Sequence, residues 1–461
     1  MTPLVYLVMF GWIPFVFYLF MRFPPQRAVI TSFIIAWLFL PQAKFPLPGL
    51  PDYTKMSATC YGILLATVVY DAARLTSFRF GWLDIPMLIW CLCPIPSSLT
   101  NDLGLYDGVS SALAQTVAWG LPYFLGRLYL SNLEGLRQLA IGIFAGGVAY
   151  IPFCLVENFT GPLLHLKVYG FNAFNDWSQA RRYGGWRPVV FMNHGLMVGV
   201  WMMAATLIGI WLWKTGTLKK LWNIPINRLV YALIVTFILA RSTGAYVLLL
   251  LGVLFLFTAK WFRTALPVLI LIIGISSYLY LGVTGTFTSE QTIAGLSQVF
   301  SEDRVASLAF RFKNEEVLGA KARERMMFGW GGYGRALIYD QNGKQLTIPD
   351  SLWIVTFGNR GLLGVICITA VLLLPVFCFL TFRYRANLWS HPKVAPAAVL
   401  AVILSLYMLD CVLNAMVNPM FSLTCGGISG LAMATETPKT TSSRSSGVKR
   451  ALPKQRQQQS P

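Results

Sequence analysis

Charge is what this 461-residue chain has least of: Asp, Glu, Lys and Arg make up 12% of it, against about 25% in a soluble domain. With 56% hydrophobic residues and a mean hydropathy of +0.60, it cannot cover itself with a wet surface. That excludes a soluble globular enzyme and predicts an all-α polytopic membrane protein. Acids are scarcer than bases, 18 against 37, and no D-x-D pair stands in an outer segment, so no catalytic metal is expected. Histidine is rarer still. His165 falls in an outer segment, His194 in an apolar run as a packing or hydrogen-bonded residue, and His391 on the inner side. All eight cysteines sit in apolar runs, and Cys91-x-Cys93 lacks zinc-site spacing. They read as buried thiols, with no disulfide framework and no cofactor. The first run, Leu4 to Phe20, has no basic stretch before it and no small-residue cleavage site after it, and reads as a retained helix.

Apolar runs that suit a hydrocarbon core of roughly 30 Å lie near 4–20, 28–43, 57–72, 84–98, 109–130, 136–157, 188–212, 228–241, 244–259, 264–282, 351–380 and 394–413. A weaker one covers 419–434, for twelve or thirteen transmembrane helices in all. Arg22 and Arg27, Arg74 and Arg79, Arg127 and Arg137, Lys214 to Arg228, Lys260 and Arg263, and Arg383 to Lys393 occupy alternate loops, which places those loops in the cytoplasm. Loop 99–108 has Asp102 and Asp107 and no base, which suits the outer side. The basic tail 435–461 reads as disordered and cytoplasmic. The chain then divides into a bundle 1–282 carrying the outer loop 158–187, a large outer loop 283–350, C-terminal helices 351–434 and the tail.

Two outer segments break the charge rule. Loop 158–187 carries Lys167, Arg181, Arg182 and Arg187, and loop 283–350 carries Arg304, Arg311, Lys313, Lys321, Arg323, Arg325, Arg335 and Lys344. Arg241 stands alone at an outer helix boundary. External arginines do nothing for orientation; one reading is a solvated loop, and the other is an anionic ligand, with phosphate matching the planar guanidinium fork. From Ser301 to Met327 apolar residues (Val305, Leu308, Phe312, Leu318, Ala322) recur at helical spacing, predicting an amphipathic helix or helix pair packed on the bundle. Ser301 is its expected N-cap, and Arg311 with Glu315 an expected i,i+4 pair.

The stretch GWGGYGR, Gly329 to Arg335, contains a literal G-x-G-x-x-G in Gly329, Gly331 and Gly334. A dinucleotide cradle needs a strand before it and a helix after it. Here a charged helical pattern precedes, and a short extended segment with a turn at Asp340–Gly343 follows. The glycines are expected to serve turns and close backbone approach, with Trp330 and Tyr333 presenting flat faces to a sugar or to headgroups.

On these features the layout resembles the O-antigen ligase and O-antigen polymerase superfamily of bacterial envelope glycosyltransferases. The features are a late, large external loop, an Arg-Ser-Thr-Gly-Ala box (Arg241 to Ala245), the GWGGYGR element, and a D-S-L-W-I-x-x-x-x-G-N-R-G-L-L-G box from Asp350 to Gly364. Asp350 stands where ligases of that family carry a His, which counts against a lipid A–core ligase and leaves a polymerase or an uncharacterised subgroup ahead. The resemblance implies a GT-C-like fold in the bacterial cytoplasmic membrane with its site facing the periplasm. It also implies a lipid-diphosphate-linked oligosaccharide donor and a glycan or lipid acceptor. Other polysaccharide-export proteins are further possible partners; nucleic acid is not one.

In that chemistry arginines stabilise the diphosphate leaving group and need no cofactor to do so. Arg187, Arg241 and Arg311 are the candidates, with Arg360 as a further one at membrane depth. Asp350 is the candidate base for the acceptor hydroxyl, with Glu315 or Glu316 in reserve; its other reading is an N-cap of the following helix. Asp410 near the end of a span is ambiguous in the same way as Arg360. The rival functions are a transporter or flippase of lipid-linked oligosaccharide, another lipid-linked sugar transferase, and a non-catalytic component of exopolysaccharide export.

Overall fold

The computed structural model describes residues 1–47, 49–174, 177, 180–286, 302–332 and 334–434, with backbone alone at 50 and 302–308. The chain is mostly helical, as apolar segments must be when lipid offers no partner to an open backbone group. Among the described residues seven helices are long and apolar enough to cross a membrane: Trp82–Leu99, Leu133–Thr160, Gly195–Lys214, Thr243–Phe262, Leu266–Thr284, Leu352–Arg383 and Ala395–Leu413. An eighth crossing is available from Pro3–Phe10 and Trp12–Arg22, bent by 42° at Gly11. The bend has a cause in Pro14, whose ring crowds the carbonyl four residues back and brings no N–H. Pro25–Phe39, Lys55–Tyr70 and Ile226–Leu239 are shorter apolar helices, and Pro419–Met433 has 15 residues. Against the twelve or thirteen spans expected, the described residues thus show seven of full length, or eight with the bent pair; the other expected segments are shorter helices, and 109–130 is divided into Gly104–Gln115 and Leu121–Tyr129 by a π turn. All eight cysteines are buried.

The two ends of the bundle differ. At one end Asp84 accepts from Arg127 Nε at 2.7 Å and from Tyr123 Oη at 2.8 Å. The other end gathers the expected outer loops. The Thr2 amide donates to Tyr169 O, the Gln42 amide to His165 Nε2, and the Leu352 amide to Asn414 O. Among the described residues strand pairing comprises three small hairpins, among them Lys44–Leu47 with Leu50–Thr54 and Arg181–Arg182 with Gly185–Trp186, and an isolated bridge between Tyr339 and Gln345.

The glycine-rich element has a specific partner. The helix Leu352–Cys378 is broken at Gly361 (φ 64°, ψ −162°), which frees backbone groups inside an apolar segment. The amides of Trp330 and Gly331 donate to the carbonyls of Gly358 and Asn359, and the amides of Leu362 and Leu363 to those of Met326 and Met327. The break and the loop therefore complete each other's hydrogen bonding. Gly329 (φ 69°) and Gly361 lie face to face: a Cβ on Gly329 would meet Arg360 N at 2.5 Å, and one on Gly361 would meet Gly329 N at 2.6 Å. Ser97 Oγ and Asn101 Nδ2 close the seam from the neighbouring helix, donating to the carbonyls of Phe328 and Gly329 at 2.5 and 2.8 Å.

Gly329→Ala and Gly361→Ala should each lower the stability of the purified protein by more than about 2 kcal/mol, since backbone atoms on both sides leave no room. Gly274→Ala, on a helix with nothing within 4 Å of the added methyl, should be neutral or slightly stabilising. Thermal unfolding in detergent measures all three.

Candidate functional site

Glu157, fully buried in the last turn of Leu133–Thr160, organises the first outer loop. Its carboxylate accepts three backbone amides: Leu164 at 2.9 Å, Val189 at 2.8 Å and Val190 at 2.7 Å. Val190 has φ 54°, an outlying conformation for a β-branched residue, and the Glu157 bond holds it there. Two residues before Val189, Arg187 is carried into the protein with 4% of its surface exposed.

Arg187 meets the turn between the helices Ile226–Leu239 and Thr243–Phe262. Its Nη2 donates to Ser242 Oγ at 3.0 Å, while Arg241 Nη1 returns to the Trp186 carbonyl at 3.0 Å. The two arginines thus interlock segments 185–187 and 241–242. Arg241 has φ 52°, and its guanidinium packs directly on Gly185, so a side chain there would have to displace it. Among the described residues Arg187 has no carboxylate within 4 Å, and its buried Nε lacks a partner. Burial, reinforced by nearby Arg182, pulls its guanidinium down to about 10, which leaves it protonated at neutral pH.

The long loop supplies the other half through its helix Glu302–Arg323, whose Leu318 and Ala322 are buried. Arg311 Nε lies 3.7 Å from Asp350 Oδ2, and its Nη1 donates to the Leu413 carbonyl at 3.0 Å. Asp410, buried one turn before Leu413, accepts from Asn414 Nδ2 at 2.8 Å and is within electrostatic reach of both Arg187 and Arg311. Asp350 is 39% exposed in its side chain; partial burial raises its pKa above the usual carboxylate value, and Arg311 opposes that rise.

Several expectations change. Glu315 does not pair with Arg311: its carboxylate accepts from Tyr278 Oη at 2.6 Å, Ser351 Oγ at 2.6 Å and Trp353 Nε1 at 3.2 Å. It clamps the loop helix to two membrane helices, because three donors outbid one arginine on the helix surface. Burial raises its pKa, against those three bonds and Arg311. The carboxylate of Glu315 is thus already engaged as a clamp, and Glu316, the next residue of the helix, is exposed. Asp350 does not cap the helix. Ser351 holds the N-cap position, and its hydroxyl goes to Glu315. Arg360 sits at the Gly361 break with Cys93 as its electrostatic neighbour and a buried Nη1 without a partner, and no contact joins it to the cluster around Asp410.

Trp330 is half-buried against the loop helix. Its Nε1 donates to the Lys321 carbonyl, and Lys321 Nζ lies 4.0 Å and Arg325 Cζ 5.4 Å from its ring centroid. Gly331 and Gly334 both have positive φ, in keeping with turns, and no strand precedes the element and no helix directly follows it. Tyr333, Ser301, the tail 435–461 and the side chains of Arg304, Val305 and Leu308 lie outside the described residues. His194 caps the helix Gly195–Lys214, accepting from the Leu196 amide, rather than lying within it. His165 is buried between the Gln42 amide and the Phe171 carbonyl, with a pKa lowered by burial.

Glu157 was not singled out from sequence, although an acid near the end of a 28-residue apolar helix is itself a signal. No protein-family model matches the chain, and no curated protein matches it in sequence. Its site therefore has to be read from its own geometry.

Replacing Glu157 with Gln removes one acceptor oxygen and sets an amide donor against backbone N–H groups. Glu157→Gln should weaken the loop by about 1–3 kcal/mol, seen as faster hydrogen exchange at residues 187–192 with little change in the helix Ala395–Leu413.

Proposed function

We propose that this chain transfers or polymerises glycan repeat units carried on undecaprenyl diphosphate, on the outer face of the bacterial cytoplasmic membrane. The observation that carries the reading is that Arg187 and Arg311, from separate loops, both come within electrostatic reach of buried Asp410, with the half-exposed Asp350 3.7 Å from Arg311. Two cations drawn from separate loops, one of them without a carboxylate within 4 Å among the described residues, favour an oxyanion ligand over an internal ion-pair network.

In this reading an acceptor hydroxyl approaches Asp350. As its oxygen bonds to the anomeric carbon, its proton passes to the Asp350 carboxylate. The bond from the anomeric carbon to phosphate oxygen breaks, and the diphosphate leaves with the electron pair. Charge grows on the departing phosphate, where arginines that stay protonated stabilise it better than they stabilise the bound donor. Arg187 and Arg311 face that charge. Arg241 fixes segment 185–187 through Trp186 and adds to the positive field. Burial raises the field of each cation, because water screens it less.

Four measurements test the reading. Asp350→Asn should reduce chain extension at least about 100-fold without lowering the melting temperature. Wild-type extension in that variant would remove Asp350 from the chemistry. Arg187→Lys keeps the charge and loses the fork, so it should impair transfer; full activity would mean that charge alone suffices.

Arg311 lowers the Asp350 pKa, so in Arg311→Gln the carboxyl keeps its proton to higher pH. The acid limb of the rate profile should therefore move to higher pH, and an unmoved limb would separate Asp350 from the titrating base. In cells, a deletion strain that accumulates single lipid-linked repeats identifies a polymerase, and one that accumulates untransferred lipid-linked polymer identifies a ligase. A strain with a normal glycan profile would sink both.

A further inference from the structure

A second cation at the loop end has no acid to meet. Lys55, the first residue of the helix Lys55–Tyr70, is 5% exposed. Its Nζ donates to the Trp37 carbonyl at 3.2 Å and lies 4.8 Å from the Trp37 ring centroid. Among the described residues no carboxylate lies within 4 Å of it. A buried ammonium without a counter-charge is costly, and a carbonyl and a ring face offset only part of that cost. Lys55 also lines a cavity of about 290 Å³, with Gln42, Thr54, Asn193, Ala415 and Val417 on its other sides.

The cavity adjoins the cluster described above. Asn193 follows Arg187 by six residues on the segment pinned by Glu157, and Ala415 directly follows Asn414, the hydrogen-bond partner of Asp410. Its volume falls at the lower limit of ligand pockets, about 300 Å³, which suits one small polar ring rather than a lipid chain. Its polar lining, an amide from Gln42, a hydroxyl from Thr54 and an amide from Asn193, suits sugar hydroxyls. One desolvated point charge matches a monoanion; a phosphate monoester carries about −1.5 to −2 at neutral pH and would leave charge unmatched. Lys44, also in the lining, is exposed at the rim, where water screens it.

We infer that this cavity is a subsite for a carboxylate-bearing sugar, with Lys55 neutralising the carboxylate, so that the glycan handled here contains an acidic residue. The inference rests on the glycan-transfer reading, but its binding test does not depend on turnover. Melting of the full-length protein in lipid nanodiscs is followed with D-glucuronate, D-glucose, inorganic phosphate and inorganic pyrophosphate. D-Glucuronate should raise the wild-type melting temperature by about 2 °C or more at saturation, D-glucose should not, and Lys55→Met should lose the glucuronate shift. Arg311→Gln should keep the glucuronate shift and lose the pyrophosphate one.

Without ligand, Lys55→Met should melt at or above the wild-type temperature, because an uncompensated charge has gone. Lys55→Gln provides a second, polar variant. No glucuronate shift in wild type, or the same shift in Lys55→Met, overturns the subsite. A phosphate shift larger than the glucuronate shift and lost in Lys55→Met reassigns the cavity to phosphate and overturns the sugar carboxylate. Failure of both Lys55 variants to fold makes Lys55 a structural residue and overturns the inference as well. A glucuronate shift without any pyrophosphate shift leaves the subsite standing and counts against the diphosphate chemistry, so the two ideas fail separately.

Discussion

Lipid offers no hydrogen bonds, and the region around Gly361 is arranged by that constraint. A helix interrupted in an apolar segment must find substitute partners for its backbone. Here they come from residues 326–331 of the long loop. The exchange is mutual: the loop gains a fixed course and the helix gains closure. Once residues 326–331 are tied down, the preceding helix Glu302–Arg323 has little freedom in where it lies. Asn314 then accepts from the Ile348 amide, Glu315 reaches Ser351 and Trp353, and Arg311 arrives beside Asp350. The glycine pair comes first in that sequence of dependence and the charged pair last.

The charges at this end of the bundle follow a consistent pattern. Glu157 is surrounded by backbone amides and Glu315 by side-chain donors, so each carboxylate is internally satisfied and acts as a fastener. Arg187 and Lys55 are buried without such matching. A protein that satisfies its buried acids and leaves buried bases under-compensated carries a standing positive potential in its interior. Potential of that kind selects anions before any contact is made. Asp410 moderates it between Arg187 and Arg311.

The helical membrane character was legible because it rests on composition and run length, which need no tertiary information. The ends of the bundle were legible from alternating basic loops. The Arg241 turn and the helix ending at Arg323 followed from breaks in hydropathy and from charge spacing. The partners of single side chains were not. An i,i+4 spacing proposes Arg311 with Glu315, but the spacing cannot register that Tyr278, 37 residues earlier, and Ser351, 36 later, compete for the same carboxylate. The role of GWGGYGR was half legible: its context excluded a nucleotide cradle, yet its true counterpart, the Gly361 break, lies inside a run whose hydropathy is unbroken. Lys55 and Glu157 were passed over because each stands at the edge of an apolar run, where a charge usually means only a boundary.

The Gly329–Gly361 crossing also bears on how the protein is made. A segment inserted into the membrane as Leu352–Cys378 cannot finish its own backbone, since the groups around the break wait for the loop. Residues 326 and 363 are synthesised 37 positions apart but must close on the same side of the bilayer. Insertion and loop folding are thus two halves of one event. The backbone of that segment is therefore complete only when the loop is in place.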